Sequence, residues 1–362
     1  MKCLPSTKLP LCHGNVLHDW HAEILTIRTF NRFLLDQCLL ISTPPYPSSP
    51  WIKHSTPLEK GNLDAQNEGI QPFTIPPDVT IHIYCSEAPC GDASMELTMS
   101  SQADSTPWTS APPTISPPIP TPSLSQSEAA ALRGRANFDR LGTVRLKPSR
   151  PDAPPTLSKS CTDKLALRQA FSLLSATTSL LVSPRNAYIN TLVLPESQFV
   201  RAACERAFSR SGRMKGVSDE MIGTWGGGYK WNEFSVAPTR REFEWSRRCV
   251  KAGEKAVASN LSAIWSPGWQ ETLIGGVLQG RKQFDARGAS AVCRRGMLSV
   301  AVRVAALVGV SAAGRVLGKR RYEDVKSDGV FDERKRVKRD VIEGGLKGWM
   351  TNVGDDNWGL ED

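Results

Sequence analysis

His21-Ala22-Glu23, taken with Pro89-Cys90-Gly91-Asp92 and Ser160-Cys161-Thr162-Asp163-Lys164, decides the reading of this chain. The three stretches offer one imidazole (His21) and two thiols (Cys90, Cys161) as zinc ligands. Three protein ligands leave a fourth position open, as in catalytic rather than purely structural zinc sites. Glu23 adds a carboxylate two residues from the imidazole, where it can move protons for a hydrolytic reaction. Each piece alone has a plainer reading: a packed helical histidine, a tight turn, a buried thiol acting as a small hydrophobe. Their joint occurrence in this order is what points to a metal centre.

The flanking periodicity places the three pieces. Ile24, Ile27, Phe30, Phe33 and Leu34 recur at helical spacing, so Asp19 to Leu40 reads as a helix with Asp19 as N-cap and His21 and Glu23 in its first turn. Residues 79–85 alternate and are β-branched, and read as a strand that delivers Cys90 just past its end. Leu165, Ala166, Ala170, Leu173 and Leu174 share one face of a helix that follows Cys161. Tyr188 to Leu194 reads as a second strand; residues 199–213, 285–318 and 321–348 read as helices. Alternating strands and helices predict an α/β domain. Residues 43–77 read as a Pro/Ser-rich loop and residues 97–130 as a disordered insertion. Trp225-Gly226-Gly227-Gly228-Tyr229 lacks the Gly-Lys-Ser/Thr of a phosphate loop and reads as a turn.

Composition sets the bounds. The 362 residues suffice for one large domain or two modest ones, and 40% hydrophobic residues support a core. A net charge of +9 and a pI near 9.1 suit a polyanionic partner. Nine cysteines at irregular spacing, behind an N-terminus without an apolar run, argue against a disulfide framework and for a reducing compartment. The apolar run from Val304 to Ala313 is too short to span a bilayer, so no membrane partner is expected.

Zinc nucleobase deaminases carry H-x-E followed by P-C-x-x-C. Here no cysteine follows Cys90 at that spacing, and the next is Cys161. That departure resembles the adenosine deaminases acting on RNA, whose third ligand lies in a later S-C-S-D-K stretch. The tRNA-directed branch is the nearer likeness, through His18-Asp19-Trp20-His21-Ala22-Glu23, Pro155-Thr156-Leu157-Ser158-Lys159-Ser160-Cys161, Leu194-Pro195-Glu196-Ser197 and Leu346-Lys347-Gly348-Trp349. The resemblance implies a single editase domain over residues 1–362. It also implies a cytidine-deaminase-like three-layer α/β/α core with a mixed sheet and added C-terminal helices. The implied reaction is hydrolytic conversion of adenosine to inosine in tRNA, at the position 3′ of the alanine-tRNA anticodon. His21, Cys90 and Cys161 would hold Zn²⁺ and Glu23 would be the catalytic proton shuttle.

Relatives of this kind bury inositol hexakisphosphate. The matching positions are Ile24, Arg28, Lys164, Arg294 and Trp349, with Asp19 and Lys164 as the relay to the metal. Lys326, Arg334 and Lys338 are further candidates. Ile27 and Leu167 stand where arginines are expected, and Arg168 is adjacent to the second. Such an anion needs many cationic donors.

Arg135, Arg140, Arg145, Lys147, Arg150 and Lys159 form the expected tRNA surface. Trp231, Trp245, Trp265 and Trp269 are read mostly as core, with base stacking the alternative. Lys319-Arg320-Arg321 and Arg334 to Arg339 fit either a solvated face, anion or tRNA contact, or a two-part import signal, so nucleus and cytoplasm both stay open. No obligate protein partner is expected. The chain starts at Met1-Lys2-Cys3, inside a G-T-K-C stretch of the family, so an N-terminal helix and strands are expected to be missing. The alternatives are a truncated, inactive RNA-binding protein and an adenosine editor of other RNA.

Overall fold

A computed structural model describes residues 2–56, 70–101, 131–148, 153–251, 253–257, 259–309 and 311–362. The leading helix, α1 (Ala22–Ile41), buries Leu25, Ile27, Leu34, Leu35, Cys38 and Ile41, spacings that put one stripe on the core. It starts three residues later than the sequence predicts. His21, with extended backbone, is the N-cap, and Asp19 caps nothing because its carboxylate turns back onto His21. Asn31 is buried in the same stripe with every bond made. Its Nδ2 donates to Ile27 O and Leu173 O (both 2.8 Å), and its Oδ1 accepts from Ser175 N (2.6 Å).

The predicted loop at 43–77 contains a short antiparallel pair, β1 (Lys53–His54) with β2 (Phe73–Thr74); its residues 57–69 lie outside the described ones. The central sheet is parallel, in the order β3 (His82–Tyr84), β6 (Thr191–Pro195), β7 (Ser235–Thr239). Both predicted strands are there, shortened at their starts. Helix α2 (Met95–Ser100) occupies the beginning of the predicted insertion, and residues 102–130 lie outside the described ones. A two-stranded parallel pair, β4 (Leu132–Arg133) and β5 (Arg145–Leu146), leads to helix α3 (Cys161–Phe171). Helices α4 (Ala176–Leu181), α5 (Arg201–Phe208) and α6 (Asp219–Gly223) follow.

An antiparallel sheet that the sequence reading missed lies further on: β8 (Ser262–Ser266), β9 (Trp269–Ile274) and β10 (Val277–Leu278). Its hairpin alternates outward and inward residues, and the outward Trp265 and inward Ile264 hide each other in a composition-based reading. The predicted helix at 285–318 resolves into α7 (Arg294–Val308) and α8 (Ser311–Leu317), broken at Gly309 with φ +65. Glycine supplies that left-handed stop without a Cβ penalty. The final basic segment likewise splits into α9 (Tyr322–Ser327) and α10 (Asp332–Gly345).

Three apolar clusters hold these elements together. One joins α1 to α7, α8 and the C-terminal Trp358 through Leu34, Leu35, Met297, Val304 and Val316. The second lies under the parallel sheet, with Leu165, Leu192, Leu194, Phe208 and Val337. The third packs the N-terminal residues Leu9, Leu17 and Trp20 on Leu273 and Val277. Among the described residues no helix is long and apolar enough to cross a membrane. The observed elements make an α/β fold with a parallel sheet and flanking helices.

Candidate functional site

Two loops and one helix start meet beside the sheet. Ser160 caps α3 by accepting from Asp163 N (3.1 Å), which fixes Cys161 as the first helical residue. Cys161 N–H then donates to Cys90 Sγ (3.4 Å), and Thr162 N–H to Cys90 O (3.0 Å). Thr162 Oγ1 also donates to Pro89 O (2.8 Å). Gly91 is required between them: its φ is +113, and a Cβ there would stand 2.3 Å from Ser160 Oγ.

Asp19 is the hub on the other side. Its Oδ1 accepts from His21 N (3.1 Å) and His21 Nδ1 (2.8 Å). Its Oδ2 accepts from Lys147 Nζ (2.8 Å), Ser158 Oγ (2.7 Å) and Lys164 Nζ. Lys147 Nζ also donates to Cys161 Sγ (3.1 Å), so one ammonium ties the hub to the thiol pair. Burial alone would raise the Asp19 carboxyl, but Lys147, Lys164 and His21 hold it well below the usual carboxylate range. Burial pulls Lys147 down, yet Asp19 and the two thiols lift it well above an ordinary lysine.

His21 is pulled down by burial but raised to about 10 by its bonds to Asp19 and Cys3 and by the Asp19 charge. Cys90 is lowered to about 6, chiefly by its hydrogen bond with Cys161 and, after burial has pushed the other way, by Lys147 and His21; Glu23 opposes this. Cys161 is raised by burial and by that same bond. The charge of Glu23 therefore acts on both thiols.

The sequence-predicted ligands are neighbours, yet they do not close on one point. Donor atoms within 4.8 Å of one another, among the described residues, are Cys3, Asp19 and His21 and, separately, Cys12, His18 and Asp355. Thus His21 shares a tight group with Cys3 and Asp19 while Cys90 pairs with Cys161. The donor chemistry of the combined set, imidazole plus two thiols, suits a borderline-soft ion.

Lys164, the other half of the predicted relay, also lines a cavity of about 300 Å³ on the far side of Asp19. Ile24, Arg28, Arg294 and Trp349, the remaining predicted anion positions, line it too. Lys159, Arg168 and Lys338 join them. Arg168 occupies the wall beside Leu167, so the cavity keeps a guanidinium although residue 167 lacks one. These cations crowd one another. Arg168 is lowered to about 9 by burial and then by Arg334 and Arg28. Lys338 is lowered to about 8 by burial and then by Lys326, Arg334 and Arg168. Lys159 falls well below an ordinary lysine through burial and the Lys164 charge, and stacks 4.8 Å from the Trp349 ring centre.

Three of the expected tRNA contacts are elsewhere. Arg145 is buried, and its guanidinium donates to Gly134 O, Ala136 O, Asn137 O and Arg140 O (2.7–3.1 Å), which shapes the loop between β4 and β5. Lys147 belongs to the Asp19 hub, and Lys159 donates to Leu157 O and Met350 O. Arg135 and Arg140 are exposed, and Arg150 lies outside the described residues. Of the tryptophans, Trp231 packs against the second cluster and Trp269 against the third, whereas Trp265 and Trp245 are 69% and 81% exposed. The residues that sequence reasoning missed are Lys147, Ser158 and Cys3. Cys3 and Ser158 carried a signal, each lying in a family stretch.

Residues 1–353 match the family model of the adenosine-deaminase (editase) domain. The chain is 33% identical over 347 residues to tRNA-specific adenosine deaminase 1 of Schizosaccharomyces pombe, covering 95% of this chain and 78% of that protein. It is also 33% identical over 175 residues to tRNA-specific adenosine deaminase 1 of Saccharomyces cerevisiae, covering 48% of this chain and 39% of that one. A match of this extent settles the assignment: the chain belongs to the adenosine-deaminase (editase) family.

Proposed function

We propose that this protein deaminates an adenosine of a tRNA to inosine by hydrolysis, with zinc held by His21, Cys90 and Cys161. The observation that carries the reading is the meeting of Cys90 and Cys161 at a point where the charges of both His21 and Glu23 are felt. The relatives' names add the tRNA. Bound there, zinc supplies the acidity that makes water a nucleophile near neutral pH. Glu23 takes the proton of the attacking water, delivers it to purine N1, and assists proton transfer to the departing amine. Water adds at C6, the C6–N bond breaks, ammonia leaves, and inosine remains. Asp19 orients the His21 ring through Nδ1, and Lys147 and Lys164 keep Asp19 ionised while it does so. The adenosine has to leave its stack to reach the site, at a lower cost in an anticodon loop than in a duplex.

In this reading the cation-lined cavity holds inositol hexakisphosphate through Arg28, Lys164, Arg168, Arg294 and Lys338, beside Ile24 and Trp349. Support comes from cations depressed by one another, with Asp19 and Asp355 as nearby carboxylates. The substrate position proposed is the adenosine 3′ of the alanine-tRNA anticodon.

The test is inosine formation in an alanine-tRNA transcript by the intact chain and by Glu23→Ala. Removing a positioned proton shuttle costs about 10²–10⁴-fold in rate. Equal inosine from both proteins would remove Glu23 from the reaction, and none from the intact chain on any tRNA would remove the reaction itself.

A further inference from the structure

Residues 241–249 form a loop whose inside and outside are built for different purposes. Inside, it is clamped to the stretch that carries Cys90. Arg248 donates from Nη1 to Glu87 Oε1 (2.7 Å), from Nη2 to Glu242 Oε2 (2.9 Å), and again from Nη2 to Ser86 O. Glu242 is held a second time by Ser197 Oγ (2.6 Å), and Tyr84 Oη, on β3, donates to Arg241 O (3.1 Å). The backbone closes on itself through Ser246 N to Phe243 O (2.8 Å) and Cys249 N to Ser246 O (2.9 Å), and Ser246 is buried.

Outside, the same loop presents Trp245 at 81% exposure and Phe243 at 46%. Arg247 is exposed as well and, unlike Arg248 beside it, has no carboxylate partner among the described residues. Arg247 and Arg135, which is also exposed and without such a partner among the described residues, line the cavity whose wall includes Cys90 and Gly91. Glu244 is the exposed carboxylate of the loop.

We infer that this loop is a single-strand platform for the substrate: Trp245, helped by Phe243, stacks on a nucleobase flanking the target adenosine, while Arg247 and Arg135 take its backbone phosphates. The inference rests on the tRNA reading above and deepens it. An exposed indole on a mobile segment would pay ordering entropy at each encounter. Here ion pairs to Glu87 and Glu242 hold the backbone beforehand, so the indole stays presented. Aromatic faces accept any base, and unpaired guanidinium groups supply the phosphate contacts that make such binding salt-dependent. A protein partner would be served by the aromatics but gives no reason for two arginines without a carboxylate partner among the described residues to line a cavity that opens on Cys90.

The experiment compares intact chain, Trp245→Ala, Trp245→Phe and Arg247→Ala on tRNA that the intact chain edits, measuring KM, kcat, thermal midpoint and affinity against salt. Trp245→Ala is expected to raise KM on the order of tenfold with kcat nearly unchanged, since one base stack is worth about that factor. Trp245→Phe is expected to recover most of the loss, and the thermal midpoint to stay put because the indole is outside the fold. Arg247→Ala is expected to weaken binding and to flatten the salt dependence by about one phosphate contact. Editing by the intact chain with KM and affinity unmoved in Trp245→Ala overturns the platform and leaves the deaminase reading standing. Absence of inosine from the intact chain on any tRNA overturns that reading and the platform with it.

Discussion

Two clusters of cations lie back to back in this protein, divided by the carboxylate of Asp19, and they are solved differently. On the thiol side the ammonium groups share one carboxylate: Lys147 and Lys164, the latter also lining the cavity behind, both reach Asp19 Oδ2, and Lys147 also reaches the Cys161 sulfur. In the cavity behind it, Arg28, Lys159, Arg168 and Lys338 bond mainly to carbonyls or face one another, and burial and mutual repulsion push all four down. A carbonyl satisfies hydrogen bonding but not charge. The first cluster therefore finds its balancing charge in Asp19, whereas these four cations carry positive charge that carbonyls leave unbalanced. Each cation type reads the same in sequence, so what separates a structural ion pair from a binding site is where the balancing charge comes from.

The sharpest way to break that contrast is Asp19→Asn, which removes the balancing charge of the first cluster and turns it into the second. Lys147 would be left buried without its partner, and such an uncompensated charge costs about 3–5 kcal/mol. Urea unfolding should show a loss of that order, and metal content per chain should fall because the acceptor at His21 Nδ1 becomes a neutral amide oxygen in place of a carboxylate. Unchanged unfolding would mean that the hub is not what holds these lysines.

The asymmetry also explains what could be read in advance. His21, Glu23, Cys90 and Cys161 were singled out because metal chemistry needs those residue types, and α1 and α3 were legible because their apolar spacing is strong. The anion positions Arg28, Lys164, Arg294 and Trp349 followed from likeness, and they do line one cavity. Arg145, Lys147 and Lys159 were misread as a surface because a basic residue in a stretch without periodicity carries no mark of burial. Their burial is set by Asp19, Met350 and the carbonyls of 134–140, of which Asp19 and Met350 are far away in sequence. The sheet β8–β10 escaped for a related reason: an exposed position of its alternation, Trp265, carries a residue that imitates a core.

A second, smaller effect separates the clusters by pH. Lys338 has a folded value of about 8 against an unfolded one near 10.5, so below pH 8 both states are protonated and the folded state bears the full repulsion. Between about 8 and 10.5 the folded state releases that proton while the unfolded state keeps it, so stability rises with pH through this window. The anion-free protein should accordingly gain thermal midpoint from pH 8 to 10. Inositol hexakisphosphate in excess should raise the midpoint at pH 7.5 and abolish the gain, since a bound polyanion holds the lysine protonated in the folded state; at about 100 times its Kd the stabilisation is roughly 2.7 kcal/mol. A midpoint that falls steadily over the same range without the anion would show that the cavity cations are not repelling one another.

The smallest expected effect is the most discriminating, because its sign depends on what the cavity contains. Lys338→Met keeps the length of the side chain and its contact with Trp349, whose ring centre lies 5.9 Å from the ammonium, but deletes one of the crowded charges. Without the polyanion the variant should be more stable than the parent, on the order of 1 kcal/mol, because a repelled, half-buried cation has been replaced by an apolar group of similar volume. With the polyanion it should be less stable than the parent, because a donor to the anion has gone. The same substitution at Lys147 should destabilise under both conditions, since that ammonium already has its carboxylate and its sulfur. Two lysines on opposite sides of one aspartate would then respond with opposite signs in the anion-free protein, and a shared sign there would mean that the two clusters are electrostatically the same.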